Sequence, residues 1–93
     1  MNLAARYIQI IEGILGRKLN EKSRSREDVA GRMCIAFQLM RDGFSTPLVG
    51  KIIGRDHATV LHYRKCMERC KAFPKSFRYE CYIWDEFEKQ LNN

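Results

Sequence analysis

Residues 54–65 read Gly-Arg-Asp-His-Ala-Thr-Val-Leu-His-Tyr-Arg-Lys. A glycine is followed by three polar side chains in a row, then a small pair, and then the chain turns apolar and basic. The residues just before, Ser45 to Ile53, form a short helical pattern. Ser45 or Thr46 can cap it, and Pro47 falls in its first turn, where a missing amide is harmless. Leu48, Val49, Ile52 and Ile53 make its apolar stripe, and Gly54 ends it. A second helix starts around Asp56, with Val60, Leu61 and Tyr63 on its inner side. Two short helices joined by a glycine turn make a helix-turn-helix. Gly50 would let the helices cross closely, and Gly54 can take a positive φ at little cost. Val49, Ile53, Val60 and Tyr63 then line the seam between them. A bare helical corner with no nucleic-acid role can show the same spacing, so the residues outside the seam must decide what the corner does.

Working outward, Leu3, Tyr7, Ile8, Ile11, Ile14 and Leu15 recur at helical intervals over about 2–16, with Gly16 as the stop. Residues 17–25 are polar and basic and read as a loop. A second helix is expected over about 26–41, capped by Ser25, with Glu27 and Asp28 in its first turn and Val29, Met33, Ala36, Phe37 and Met40 as its stripe. Pro74 breaks the chain after Phe73, and a last helix is expected over about 76–91, with Phe77, Cys81, Trp84, Phe87 and Leu91 on one side. No segment alternates as a strand does. The expected fold class is all-α, about five helices in one domain over 1–93, with the helix-turn-helix at about 45–71.

Ninety-three residues, 45% of them hydrophobic and 11% aromatic, suffice for one small core. The apolar runs are far too short for a membrane span, and the N-terminus lacks a secretory pattern. A cytoplasmic protein with no membrane partner is therefore expected. The net charge of +6 favours polyanions, nucleic acid first. Its distribution strengthens that reading, because Arg17, Lys18, Lys22, Arg24, Arg26 and Arg32 crowd one stretch and Lys51, Arg55, Arg64, Lys65, Arg69 and Lys71 another. In such a compartment Cys34, Cys66, Cys70 and Cys81 are expected as thiols. His62, Cys66 and Cys70 follow one another at intervals of four, on one face of a helix. A zinc ion with Cys81 or His57 as fourth ligand is conceivable there. Close ligand pairs at turns are the usual mark of zinc sites, however, and small buried thiols are ordinary core residues. No metal and no cofactor are expected.

In a helix-turn-helix the N-terminal turn of the second helix reaches base edges in the major groove. Here that turn is Arg55, Asp56, His57, Ala58 and Thr59. His57 can donate to purine N7 or O6, Asp56 can accept from a cytosine amino group, and Ala58 and the Thr59 methyl can pack on a thymine methyl. Asp56 can equally be a plain helix cap. Consecutive residues diverge on a helix, so Asp56 and His57 do not form a base and its orienter, and no enzyme is expected.

The stretch Gly54–His62 also closely resembles the signature GGRDH(S/T)TV(L/I)HA of the DNA-binding C-terminal domain of the bacterial chromosomal replication initiator DnaA. Lys22 to Glu27, with Val29 and Arg32, resembles the basic loop and following helix of the same domain. The likeness runs over roughly 8–67. It implies a Trp-repressor-like helical domain that binds a short duplex site. The residues matching Asp56, His57, Ala58 and Thr59 then lie in the major groove, the arginine matching Arg24 enters the adjacent minor groove, and the one matching Arg32 contacts phosphate. Lys22, Arg26, Lys51 and Arg55 are expected on the DNA backbone with it.

Three departures bear on that expectation. Ala58 stands where the family usually has Ser or Thr, so a hydroxyl contact is missing, and Met33 replaces a usual backbone-contacting glutamine. The chain is also about one residue shorter just before Gly54 and in the turn around Gly43-Phe44. No GxxxxGK(S/T) phosphate loop occurs, so no nucleotide is expected as partner. The resulting expectation is a stand-alone, initiator-like, sequence-specific duplex binder acting at an origin or in transcription regulation. The alternative is a module of the same fold that docks on replication proteins without specific DNA binding, using Phe73, Phe77, Tyr79, Tyr82 and Trp84. Monomer and homodimer both remain open.

Overall fold

The computed structural model describes residues 2–20 and 22–92. Five α-helices follow one another: α1 Leu3–Leu15, α2 Arg26–Arg41, α3 Thr46–Ile53, α4 His57–Ala72 and α5 Arg78–Leu91. Among the described residues there is no strand, so the all-α expectation holds. Four of the five helices begin with a side-chain cap. Asn2, Ser25, Ser45 and Asp56 accept from the amides of Ala5, Asp28, Leu48 and Thr59, each removing one unpaired donor from a first turn. Helix α5 has no such cap. It begins two residues later than its apolar spacing suggested, because 73–77 close a turn in which the Ser76 amide donates to the Phe73 carbonyl at 3.0 Å.

Helix α2 is the centre of the molecule and packs against the other four. Its run from Ala30 to Phe37 is buried on every side, which is why its sequence shows little one-sided patterning. Around it close Ile11 of α1, Val49 of α3, Val60 and Met67 of α4, and Ile83 and Phe87 of α5. Trp84 sits edge-on to Phe37 with ring centres 5.3 Å apart and stacks beside Phe87 at 5.6 Å. These rings lock α5 onto α2. The sequence stripe of α5 is thus core at Trp84 and Phe87, while Phe73 and Tyr82 remain exposed.

Cys34 and Cys66 are thiols, as expected. The other two, Cys70 and Cys81, face each other across α4 and α5, with the Cys81 Sγ 3.1 Å from the Cys70 carbonyl oxygen. The turn at 73–77 sets the two helix ends side by side, with Cα atoms 6.0 Å apart, inside the range a disulfide can bridge. Reading along one helix put Cys70 in a row with Cys66, and Cys81 entered that reading only as a conceivable zinc ligand. His62 Nε2 and Cys66 Sγ are 3.5 Å apart. No group of three or more His, Cys, Asp or Glu is placed to hold a metal among the described residues.

The α3–α4 corner depends on two glycines. Gly54 adopts φ 70°, the left-handed conformation that other residues resist, and sends the chain round into α4. Gly50 is buried, and a Cβ there would lie 2.6 Å from the Arg55 carbonyl oxygen and 3.6 Å from a Val60 methyl. The Arg55 amide also donates to the Gly50 carbonyl at 2.9 Å. The seam is Val49, Ile53, Val60 and Tyr63, all buried, as the spacing indicated.

Gly50→Ala should therefore cost about 1–3 kcal/mol, because the added methyl meets backbone that cannot step aside without opening the corner. Gly13→Ala, in open space on α1, should instead stabilise by about 0.5–1 kcal/mol through helix propensity. Urea unfolding of both variants checks this pair of opposite signs.

Candidate nucleic-acid interface

The corner presents the first turn of α4 to solvent. Asp56, His57 and Ala58 are exposed, and Arg55 and Thr59 are half-buried. Val60 and Tyr63 anchor the turn from below, so its outer side chains stand on a packed base. The Asp56 carboxylate accepts from the Thr59 amide at 2.8 Å. That bond, with a further one from the Thr59 hydroxyl, holds the Asp56 carboxyl below its ordinary value. Asp56 is thus the helix cap that the sequence allowed. The carboxylate lies on the helix terminus. Arg55 turns one guanidinium nitrogen back onto the Gly54 carbonyl at 2.9 Å. Lys51 is exposed on the last turn of α3.

The basic loop between α1 and α2 is held by two buried charges on α2, four residues apart. Asp28 is 2% exposed. Its carboxylate accepts from Arg17 Nη1 at 2.9 Å and Nη2 at 3.2 Å, from the Asn20 amide at 3.0 Å and from the Ser25 hydroxyl at 2.8 Å. The Arg17 guanidinium, ahead of the Asn20 amide and the Ser25 hydroxyl, pushes the Asp28 carboxyl well below the usual carboxylate range against the opposing effect of burial. Arg32 is 3% exposed. Its Nη1 donates to the Asn20 carbonyl at 3.0 Å, its Nη2 to the Ser23 carbonyl at 2.7 Å and its Nε to the Tyr63 hydroxyl of α4 at 3.5 Å. The Asn20 residue is therefore gripped by its N–H and by its C=O at once. The Leu19 amide also donates a hydrogen bond to the Glu12 carboxylate at 2.8 Å.

This bonding leaves Lys22 and Arg24 exposed on a tethered loop. Arg26 is exposed too, but it pairs with Glu80 of α5 at 3.1 and 3.3 Å and lies over the Tyr79 ring at 5.1 Å. Of the residues picked from the sequence, Asp56, His57, Ala58, Lys51, Lys22 and Arg24 reach the surface, while Thr59 and Arg55 are partly covered. Arg32 does not reach it. The physical reason is that its fork is turned inward onto the Asn20 and Ser23 carbonyls of the loop. Met33, the departure noted on α2, is core. Sequence reasoning missed Asp28 as the hub of the loop and Tyr63 as its link to α4. The available signal was a carboxylate and a guanidinium spaced four apart on the α2 face that precedes Ala36, facing a polar loop.

The geometry thus defines a class: a small helical domain whose tight two-helix corner and tethered basic loop share one buried link. Comparison with known proteins gives a particular relative. The chain is 45% identical over 65 residues to the chromosomal replication initiator protein DnaA of Bacteroides thetaiotaomicron. The matched stretch is 67% of this chain and 14% of that protein, so the chain spans only a small part of its relative's length. The resemblance read from Gly54–His62 and Lys22–Arg32 is upheld by this identity. No family model matches the chain, and no solved structure gives a significant match. Among the described residues, no helix is long and apolar enough to cross a membrane.

Asp28→Asn should loosen the loop at neutral pH. Because the folded carboxyl lies below its unfolded value of about 3.9, its contribution is fully present above that value and fades as the pH falls through the lower, folded value. Urea midpoints of wild type and Asp28→Asn should therefore differ clearly at pH 7 and converge in acid below about pH 4. A gap that is unchanged in acid would contradict this ionic role.

Proposed function

We propose that this chain binds duplex DNA as a sequence reader, with the first turn of α4 in the major groove and the loop carrying Arg24 in the neighbouring minor groove. The observation that carries this reading is the emergence of Asp56, His57 and Ala58 as the exposed, packed-under first turn after a glycine corner. Asp56 and His57 match the replication-initiator signature, and Ala58 occupies its Ser/Thr position. His57 supplies a donor for purine N7 or O6, Asp56 an acceptor, and Ala58 with the Thr59 methyl a surface for thymine methyls. Arg24 enters the minor groove, and Lys22, Lys51 and Arg55 neutralise phosphates. Arg26 joins them only at the cost of its Glu80 pairing. The partner class is double-stranded DNA, and the role is replication-initiator-like: recognition of a short site at an origin or a regulated promoter, performed without a nucleotide or a catalytic step. Exposed Phe73 and Tyr82 support a second reading, docking on a replication protein.

Selection from a random duplex pool at moderate salt supplies the probe. On it, His57→Ala should weaken binding by about 1–3 kcal/mol and relax specificity at one or two positions, while Lys22→Ala should weaken binding to all sequences alike and lower the salt slope by about 1. Equal binding of wild type and His57→Ala to the selected site would remove His57 from the reader. No enrichment from the pool, together with a co-purifying replication protein, would favour the docking reading.

A further inference from the structure

Arg32 combines deep burial with a planar fork directed into the loop rather than outward. Its two Nη atoms close on the carbonyls of Asn20 and Ser23, and the Ser23 carbonyl immediately precedes Arg24 in the chain. Its Nε faces the hydroxyl of Tyr63, a buried residue of α4 six positions beyond His57. One side chain thus joins the backbone beside Arg24 to the helix that carries His57. Asp28, one helical turn earlier, holds the same loop from its amide side. Two arms of that fork are turned onto loop carbonyls, and the residue is 3% exposed, which leaves little of it open to a phosphate.

We infer that Arg32 is a positioning residue: it fixes the register between the arm bearing Arg24 and the first turn of α4, and does not itself contact DNA. This inference rests on the duplex-binding reading above. An arm already set in place loses less conformational freedom on binding than one that must order at the groove, so the register contributes affinity without a contact of its own. A lysine cannot substitute, because a single ammonium on a flexible stem does not span two carbonyls and a phenol in one plane. The charge at position 32 therefore matters less than its fork.

The test is a double-variant cycle on the selected duplex, read by fluorescence anisotropy at two salt concentrations. Arg24→Ala, Arg32→Met and Arg32→Lys should each weaken binding about tenfold, and the Arg24→Ala/Arg32→Met double variant should bind within about twofold of Arg24→Ala alone. With Arg24 already gone, replacing Arg32 should leave the salt slope unchanged. Losses that multiply, with the slope falling by a further ~0.9, would make Arg32 a phosphate contact and overturn the inference. Full retention of affinity in Arg32→Lys would overturn the requirement for the fork. In the unmodified protein, the Arg32 Nε–H should exchange slowly with solvent by NMR, both free and on DNA, while that of Arg24 exchanges fast in the free protein. Fast exchange at Arg32 in a protein that binds its site tightly would defeat this inference and leave the duplex-binding reading standing. Failure of the wild type to bind any duplex at low salt would defeat both.

Discussion

The grip of Asp28 and Arg32 on Asn20 is the interaction on which the rest depends. A loop of ten residues, rich in lysine and arginine, has neither an apolar face nor a backbone ladder to hold it. Here it is held because α2 offers it a buried carboxylate for one amide and a buried guanidinium for two carbonyls. Burying either charge alone would be costly, and each is stabilised by a dense set of hydrogen bonds: four donors converge on Asp28, and the Arg32 fork meets two carbonyls and a phenol. The cost of desolvation makes the arrangement specific, since a loop in another register would leave both charges unsatisfied.

The same helix that holds the loop also supports the corner. Helix α2 is packed on all sides, so the loop at its N-terminal end and α4 along its flank have little freedom to move independently. Tyr63 completes the frame. It is buried in the seam between α3 and α4, yet its hydroxyl meets Arg32. In the proposed reader, the two DNA-facing parts therefore share a common rigid base.

Much of this was legible in the sequence. Ser25, Ser45 and Asp56 as caps, Gly54 as a left-handed turn and Gly50 as a close crossing are local devices, each decided within a few residues, and all stand as read. The surface placement of Asp56, His57 and Ala58 follows from those devices and was legible with them. What was not legible depends on pairs far apart in the chain. Cys70 and Cys81 are known to be neighbours only once a turn folds α5 back along α4. Arg26 looks like one more basic residue until Glu80 arrives beside it. Arg32 looks like a phosphate ligand because it is charged and lies near a basic arm, and only the packing of α1 and α4 around it shows that its charge faces inward. Helical periodicity places residues on faces, but it does not reveal which faces meet.

The most direct measurement of the central claim is dimethyl sulfate footprinting of the wild-type protein on a duplex selected from a random pool. The reagent marks guanine N7 in the major groove and adenine N3 in the minor groove, so one experiment reports both. A reader with arm and helix held in register should protect guanine N7 positions flanked by adenine N3 positions within about half a helical turn, as one continuous footprint. Protection confined to one groove, or scattered without a fixed spacing, would contradict a reader whose arm and helix are held in register.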